Sequence, residues 1–310
     1  MSESRPAALI AIDWGTTSAR AYRLDAAGEV LATHSAPLGI KAIHDGQFRP
    51  ALDALLADWR DDAAPRIACG MIGSRQGWIE APYVDCPAGL AKLGEMLTQT
   101  PGGGLAIVPG ARCVDAAGVP DVMRGEETQL AGALRDDVPR MLAVLPGTHS
   151  KWALVERGVL IDFATYMTGE LYAILLDHSI LGRMAANGAD VASAAGMAFK
   201  RGVARGLAAN GFAHAVFGAR TLALAGDLAP EEVGDWLSGV LIGDEIRAAR
   251  SWARERGADA TDVRVIGDDT IVARYMTALG EAGVRAEAGP AVAAAQGLFR
   301  IARHAGLLAS

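Results

Sequence analysis

Two short segments of the sequence combine glycine with hydroxyl side chains directly after an apolar run. They consist of Gly15, Thr16, Thr17 and Ser18, and of Gly147, Thr148, His149 and Ser150. Glycine permits close approach to the backbone, and N–H groups with threonine hydroxyls can bind phosphoryl oxygens. Asp13, at the end of the first run, is a suitable ligand for Mg²⁺, directly or through water. Lys151 adds a positive charge beside the second segment.

The two segments lie 132 positions apart in equivalent surroundings. Each follows an apolar strand and connects it to the next strand of a predicted three-strand pattern, which indicates an internal duplication. Two such turns could hold the polyphosphate of a nucleotide in a cleft between duplicated domains. The alternative is two unrelated hairpins with similar turn chemistry, and either turn alone would be an ordinary hairpin.

A second group of residues could activate an attacking hydroxyl, as phosphoryl transfer requires. Arg124 and a glycine precede adjacent acids, Glu126 and Glu127, at the predicted start of a helix. Neighbouring carboxylates cannot both face one site, so we expect one to face the reaction and the other to cap the helix. The alternative is that both are ordinary acids of a helix N-terminus.

The predicted loop over 70–83 carries a mixture of groups typical of a site for a small hydroxylated or carboxylated substrate. Arg75 could bind a carboxylate, and Ser74 and Gln76 could contact hydroxyls. Trp78 either contacts the substrate or fills the core beneath a structural loop. His149, in the second turn, could contact substrate or phosphate.

Composition and missing motifs exclude several other classes. The chain has 310 residues, a net charge of −7 and only four lysines, so a nucleic-acid partner or an anionic membrane surface is not expected. No apolar run approaches the roughly 20 residues of a spanning helix, no export signal is visible, and the three cysteines form no CxxC pair. A P-loop, a GxGxxG after a strand, HExxH and GxSxG are also missing. We therefore expect a cytoplasmic α/β protein.

The elements that must position these residues form two predicted domains. Residues 1–138 carry the first turn and the substrate loop, and residues 139–310 carry the second turn, with the last helix packing back on the first domain. An adenosine pocket would fall at the helix over 239–256 and at Gly267 and Asp268, where the residue signal is weak. The alanine-rich helices could bury a dimer face, so a homodimer stays an open expectation.

Several longer segments resemble the 2-keto-3-deoxy-galactonokinase family, within the superfamily of sugar kinases, Hsp70 and actin. They are IAIDWGTTSARAYRLD (10–25), CGMIGSRQGWIEAPYVDCPA (69–88), PDVMRGEETQLAGAL (120–134), LPGTHSKWALVERG (145–158), YMTGELYAILLDHSILGR (166–183) and LSGVLIGDEI (237–246). The resemblance implies two duplicated actin-like, ribonuclease H-like domains. RGEETQL is also similar to the exopolyphosphatase branch, where the corresponding glutamate is the base, which favours Glu126 over Glu127.

The implied reaction is ATP-dependent phosphorylation of the C6 hydroxyl of 2-dehydro-3-deoxygalactonate, with Mg²⁺ near Asp13. Glu126 would accept the hydroxyl proton, and Arg75 or Arg124 would bind the substrate carboxylate. One alternative is a kinase for the gluconate epimer. Another is a polyphosphate or nucleotide phosphohydrolase, against which the substrate loop argues. A third is a sugar-sensing regulator, but about a dozen residues before Asp13 leave no room for its DNA-binding helix-turn-helix.

Overall fold

A computed structural model describes residues 6–135, 137–185, 196–259 and 261–308 of the chain. The strands, numbered in chain order, are β1 (Leu9–Trp14), β2 (Ala19–Leu24), β3 (Val30–Ala36), β4 (Arg66–Cys69), β5 (Tyr83–Asp85), β6 (Ala88–Gly89), β7 (Thr98–Gln99), β8 (Ala106–Ile107), β9 (Gly110–Val114), β10 (Pro120–Met123), β11 (Arg140–Leu145), β12 (Ser150–Glu156), β13 (Val159–Tyr166), β14 (Asp262–Val265) and β15 (Arg285–Ala288).

The helices are numbered in the same way. They are α1 (Phe48–Leu55), α2 (Leu90–Glu95), α3 (Glu126–Ala133), α4 (Thr168–His178), α5 (Met197–Leu207), α6 (Phe212–Ala225), α7 (Val233–Glu255), α8 (Asp269–Glu281) and α9 (Ala293–His304). Within the described ranges, no helix is both long enough and apolar enough to span a membrane.

The chain divides into two compact units. The first comprises Met1–Pro139, Val155–Asp162 and Val292–Ser310, and the second comprises Arg140–Leu154 and Phe163–Ala291. The first unit therefore contains α9, which packs against α3. The domain boundary after residue 138 stays a prediction.

The first unit is built on a sheet with strand order β3-β2-β1-β4-β8-β7. Successive side chains of a strand point to opposite faces. Leu9 and Ala11 of β1 accordingly enter one apolar cluster, while Ile10 and Ile12 enter another. β1 is antiparallel to β2 and parallel to β4, so Asp13 lies opposite Arg20 on β2 and Cys69 on β4. The Asp13 carboxylate therefore lies at the end of the sheet where the parallel strands β1 and β4 terminate.

Helix α3, which begins with the two adjacent glutamates, is held against α9 by glycines. A Cβ atom on Gly132 would lie 1.8 Å from the carbonyl oxygen of Ala293, and one on Gly297 would lie 1.8 Å from that of Thr128. The two backbones are therefore in direct contact, which fixes the direction in which α3 presents its N-terminus. Strand β10, which belongs to a three-stranded sheet with order β10-β9-β5, directly precedes that N-terminus in the chain.

The second unit repeats the opening pattern of the chain. It begins with a strand, a glycine-containing turn and the first part of a second strand, which are β11, residues 146–149 and the start of β12. β11 pairs in parallel with β14, which pairs in parallel with β15. Helices α5 and α7 pack through glycines, because a Cβ atom on Gly202 would lie 2.1 Å from the carbonyl oxygen of Trp236. This close packing places α7 in the centre of the helical layer, and most of its residues are buried.

Candidate active site

The first predicted phosphate turn connects β1 to β2 in the first unit. The Gly15 N–H donates to the carbonyl oxygen of Ser18 at 2.9 Å and closes the turn. The amide groups of Thr16, Thr17 and Ser18 donate no hydrogen bond within the described residues. Thr17 and Ser18 are exposed, and Thr16 is half-buried. The turn therefore offers backbone donors and hydroxyls to an anion.

A second segment, which no sequence motif indicates, supports this turn by hydrogen bonds to its carbonyl oxygens. The amides of Gly39, Ile40 and Lys41 donate to the carbonyl oxygens of Thr17, Gly15 and Thr16 at 3.2, 3.1 and 3.1 Å. A Cβ atom on Gly39 would lie 2.3 Å from the Thr17 backbone, so only glycine fits there. These bonds engage the carbonyl oxygens of the turn and leave its amides unengaged. The contact lies more than twenty residues away in sequence and left no pattern that could have identified it.

Asp13 is half-buried beside this turn. Burial raises the pKa of its carboxyl group, while the charge of Arg20 and a hydrogen bond from the Cys69 thiol, at 3.9 Å, oppose the increase. Among the described residues, no group of three or more His, Cys, Asp or Glu side chains could enclose a metal ion. Mg²⁺ in phosphoryl-transfer sites uses one or two carboxylates together with substrate phosphates. A single carboxylate next to unengaged amides fits that arrangement.

The two adjacent glutamates of α3 have different environments. Glu127 is 3% exposed, and its carboxyl oxygens accept from the Gly125 amide at 2.7 Å and the Thr128 hydroxyl at 2.8 Å. Burial, together with the charge of Glu126, raises the pKa of Glu127 to about 8. Glu126 is half-buried and accepts from the Arg124 amide at 3.0 Å. Burial therefore favours the neutral form of Glu127, whereas Glu126 is the more accessible carboxylate.

Two glycines bring the end of β4 against the start of α3. Gly70 and Gly125 have φ values of 91° and 109°, a region that side chains rarely adopt. A Cβ atom on Gly125 would lie 3.2 Å from the Gly70 Cα, and one on Gly70 would lie 2.7 Å from the Trp14 carbonyl oxygen. The ends of β1 and β4 and the N-terminus of α3 therefore meet, which groups Asp13 with the two glutamates in one unit.

Arg124 and Ser74 carry buried polar atoms without a partner. The Ser74 hydroxyl and the Nε and Nη1 atoms of Arg124 are buried and make no hydrogen bond within the described residues. Arg124 Nη2 donates to the Ala81 carbonyl oxygen at 2.8 Å, and the guanidinium lies 4.3 Å from the centre of the Tyr83 ring. A Cβ atom on Gly73, the neighbour of Ser74, would lie 3.1 Å from Arg124 Nη1. Because unpaired buried donors are costly, these atoms indicate a place for an anionic or carbonyl ligand.

The other predicted substrate residues of the loop lie elsewhere. Gln76 is exposed, and the side chain of Arg75 is 84% exposed and lies 3.6 Å from Glu80. The Trp78 ring stacks on Phe48, with centroids 6.1 Å apart, and packs against the core. These contacts suit a structural role for Trp78, and substrate contacts of these three residues stay predictions.

The second turn connects β11 to β12 in the second unit. Gly147, Thr148 and His149 are exposed, and their amide groups donate no hydrogen bond in the part of the chain that the structure describes. The N-terminus of α4 packs against the turn, because a Cβ atom on Gly169 would lie 2.4 Å from the Gly147 carbonyl oxygen. The Glu170 carboxylate of α4 lies within hydrogen-bond distance of the His149 imidazole, at 2.5 Å. The second turn thus also offers free amides, next to a helix N-terminus.

Lys151 is buried directly after this turn. Its side chain and that of Ser150 point to opposite faces of β12. The Lys151 ammonium group donates to the Thr165 hydroxyl at 2.9 Å, and no carboxylate of the described residues forms an ion pair with it. A buried cation with a single neutral partner has donors left for an anion.

The predicted adenosine residues lie at the end of β14. Gly267 and Asp268 are exposed, and the Asp268 carboxylate caps α8 by accepting from the Thr270 amide at 3.1 Å. Aspartate is a favoured N-cap, so this bond already accounts for Asp268. Nucleotide contact by either residue stays a prediction.

Comparison with known proteins assigns the chain to a family. The family model described as 2-keto-3-deoxy-galactonokinase matches residues 13–301. The chain belongs to this family. It is 36% identical to the 2-dehydro-3-deoxygalactonokinase of Escherichia coli strain K12 over 96% of this chain and 97% of that protein. A crystal structure of a candidate 2-dehydro-3-deoxygalactonokinase protein from Sinorhizobium meliloti has a TM-score of 0.87 at 35% identity, covering 95% of this chain and 98% of that one.

A more distant solved structure is similar to this chain in fold only. The (R)-2-hydroxyglutaryl-CoA dehydratase component A of Acidaminococcus fermentans has a TM-score of 0.51 at 14% identity, over 95% of both chains. Family membership and this likeness confirm the predicted α/β, actin-like fold class. Family membership also confirms the predicted class of enzyme, a sugar-acid kinase.

Proposed function

We propose that this chain transfers the γ-phosphoryl group of ATP to the C6 hydroxyl of 2-dehydro-3-deoxy-D-galactonate in galactonate catabolism. In this reaction a bond forms between the C6 oxygen and the γ-phosphorus, and the bond from that phosphorus to the bridging oxygen of ADP breaks. The hydroxyl proton goes to a carboxylate of the enzyme, and ADP leaves. The relatives described above, at 35–36% identity over most of the chain, support this substrate.

The nucleotide phosphates have suitable donors in each unit. The unengaged amides of Thr16 and Thr17 in the first turn, and of Thr148 in the second, resemble the backbone nests that bind phosphate. Lys151 supplies a fixed positive charge next to the second turn. Asp13 would hold Mg²⁺ together with the phosphates, and that ion would neutralise charge on the β- and γ-phosphoryl groups. Donors set in place before the reaction stabilise the transition state without reorganisation.

Glu126 is the better supported base of the two glutamates. A base has to be ionised and within reach of the substrate hydroxyl. The pKa of about 8 and the complete burial of Glu127 argue against it on both grounds. Glu126 is half-buried at the start of α3, and its hydrogen bond from the Arg124 amide orients its carboxylate.

The observation that carries the assignment of a sugar acid is the pair of unsatisfied groups at Arg124 and Ser74. A guanidinium whose Nε and Nη1 atoms are buried without a partner suits an anionic ligand such as a carboxylate, because hydrogen bonds between Arg and a carboxylate are charge-assisted. Its stacking on Tyr83 fixes the plane of the guanidinium before substrate arrives. Ser74 would bind the same carboxylate or the neighbouring 2-keto oxygen. Arg75, being mostly exposed and close to Glu80, is less suited to this role.

A coupled assay of ADP formation with a panel of 2-keto-3-deoxy sugar acids tests the proposal. We expect ATP consumption to depend on the sugar acid, with the galactonate derivative having the highest kcat/KM. A preference for the gluconate epimer would change the substrate and retain the reaction. ATP or polyphosphate hydrolysis unaffected by any sugar acid would contradict the proposed function.

A further inference from the structure

A buried carboxylate of the second unit, Glu245, takes no part in the proposed reaction. Glu245 lies on α7 and is 3% exposed. One of its oxygens accepts from the Ser150 hydroxyl at 2.9 Å and from the Trp152 indole N–H at 2.7 Å. The other accepts from the Tyr275 hydroxyl at 2.7 Å and from the Thr168 hydroxyl. Both oxygens are thus fully engaged, each by two donors.

All four donors of this network are neutral. Glu245 forms no ion pair with an arginine or lysine of the described residues, and the arginine of α8, Arg274, pairs with Asp235 instead. A buried carboxylate without a cation is tolerated only where hydrogen bonds replace the lost water. The donors must therefore hold fixed positions around Glu245, and Glu245 in turn fixes the elements that carry them.

Two of those elements border the second turn on either side. Ser150 immediately follows the turn as the first residue of β12, and Thr168 is the first residue of α4. The next residue, Gly169, packs against the backbone of Gly147, and the Glu170 amide donates to the Thr148 carbonyl oxygen at 3.0 Å. Glu245 therefore connects the strand that leaves the turn to the helix that supports it.

The two turns differ in the hydrogen bonds that hold their own backbone. In the first turn the Gly15 amide donates to the Ser18 carbonyl oxygen, and the Gly39 segment supports three of its carbonyls. Within the described residues, the second turn has no backbone hydrogen bond between its own members. Its shape is set by β12 and α4, the two elements that Glu245 joins.

We propose that Glu245 is a positioning residue of the nucleotide site: by holding Ser150 and Thr168, it keeps the free amides of the second turn in the geometry that binds phosphate. This inference rests on the proposed function, because it assumes that the second turn binds the nucleotide. It predicts a selective effect on nucleotide affinity, which a purely structural role of Glu245 would not produce.

Glu245→Gln tests the proposal in the full-length protein. The amide keeps the size of the side chain but replaces one acceptor oxygen by a donor facing Thr168 and Tyr275. We expect the variant to fold, to bind ADP at least fivefold more weakly by isothermal titration calorimetry, and to raise the KM for ATP similarly. Its KM for the sugar acid should stay within twofold of the wild-type value. Glu281→Gln, at an acid of α8 that pairs with Lys200 and lies outside the predicted nucleotide site, is the matched control and should change neither the ADP affinity nor the KM for ATP beyond twofold.

A second pair of variants covers the case in which Glu245→Gln does not fold. Thr168→Val removes one link to the turn and should weaken ADP binding at least threefold, while Thr168→Ser keeps the hydroxyl and should restore it to within twofold. ADP affinity within twofold of wild type in Glu245→Gln, or in Thr168→Val if only that variant folds, would overturn the proposal. ADP binding is measured without sugar acid, so a wild-type protein that binds ADP but does not phosphorylate the sugar acid would refute the proposed function alone. A wild-type protein that binds no ADP would refute both.

Discussion

Single residues in this protein acquire different chemistry from small differences in burial. Glu126 and Glu127 are neighbours in sequence, yet the helical turn points one to a partly open position and the other into the core. Burial in a low-dielectric environment disfavours the charged form of a carboxyl group. The helix therefore separates the two side chains into a candidate base and a buried acid whose neutral form is favoured.

The assignment of the base is testable by substitution of Glu126. Glu126→Gln should lower kcat by about 100-fold to 10,000-fold, the usual contribution of general base catalysis. ADP affinity, measured by calorimetry, should stay within twofold, because the side chain is not among the proposed phosphate ligands. Near-normal turnover in this variant would show that Glu126 is not the base.

Glu127 should make stability depend on pH. Its pKa rises from an ordinary 4.5 to about 8 on folding, so between these values the unfolded chain ionises Glu127 while the folded chain does not. Ionisation of Glu127 therefore favours the unfolded state. Glu127 makes its full contribution to the free energy of unfolding below pH 4.5, and this contribution is lost as the pH rises through 8. Relative to Glu127→Gln, the wild-type free energy of unfolding should fall by at most about 1.4 kcal/mol per pH unit in this window.

Urea unfolding of both proteins at pH 5, 6.5 and 8 provides the measurement. The exposed Glu95 is the matched control, and Glu95→Gln should keep the wild-type pH dependence. A constant difference between wild type and Glu127→Gln across the three pH values would be incompatible with the raised pKa.

Arg124→Lys should affect the sugar acid selectively. Lysine keeps the charge but loses the planar pair of donors. Losing one charge-assisted hydrogen bond costs about 1.5–3 kcal/mol, so the KM for the sugar acid should rise roughly 10- to 100-fold while that for ATP changes little. Steady-state kinetics with each substrate varied in turn measures both. If Arg75→Lys showed the larger effect, the carboxylate ligand would be Arg75.

At the scale of elements, strands with a regular apolar pattern could be predicted from sequence and less regular elements could not. The apolar runs over 66–69 and 150–156 predict strands, and β4 and β12 have those bounds. The spacing of Leu52, Leu56 and Trp59 predicts a helix over 48–60. In the structure α1 ends at Leu55, and a 3-10 turn, Ala57–Trp59, follows it. No regular apolar stripe predicts helix α6, because Phe217 and Leu224 place apolar side chains on its exposed face.

Packing of α3 against α9 depends on glycines whose role only the structure reveals. Gly297→Ala should lower the free energy of unfolding by about 1–3 kcal/mol, the usual cost of overpacking, because its Cβ would lie 1.8 Å from a carbonyl oxygen. Gly280→Ala in α8 is the control: no atom lies within 4 Å of its Cβ position, so it should be neutral or stabilising by up to about 1 kcal/mol. Urea denaturation measures both. Equal stability of Gly297→Ala and wild type would contradict the close helix contact.

For the whole molecule, the class of protein and the candidate site residues could be predicted from sequence. The distant residues that hydrogen-bond to them could not. The paired glycine-containing turns and the acidic segment at Glu126 are local patterns, so they were visible in sequence. The hydrogen bonds of the Gly39 segment and of Glu245 join residues 22 to 95 positions apart, and no local pattern encodes them. The choice of Arg124 over Arg75 likewise required the burial of each guanidinium.

Phosphorylation of a keto-deoxy sugar acid on C6 by this chain would leave a product whose structure can be determined. The enzyme would receive ATP, Mg²⁺ and an equal mixture of the 2-dehydro-3-deoxy derivatives of galactonate and gluconate. Phosphorus–proton correlated NMR then identifies which epimer and which carbon carry the new phosphate. We predict the 6-phosphate of the galactonate derivative as the main product. A phosphate on another carbon, or release of inorganic phosphate without any sugar phosphate, would contradict the account.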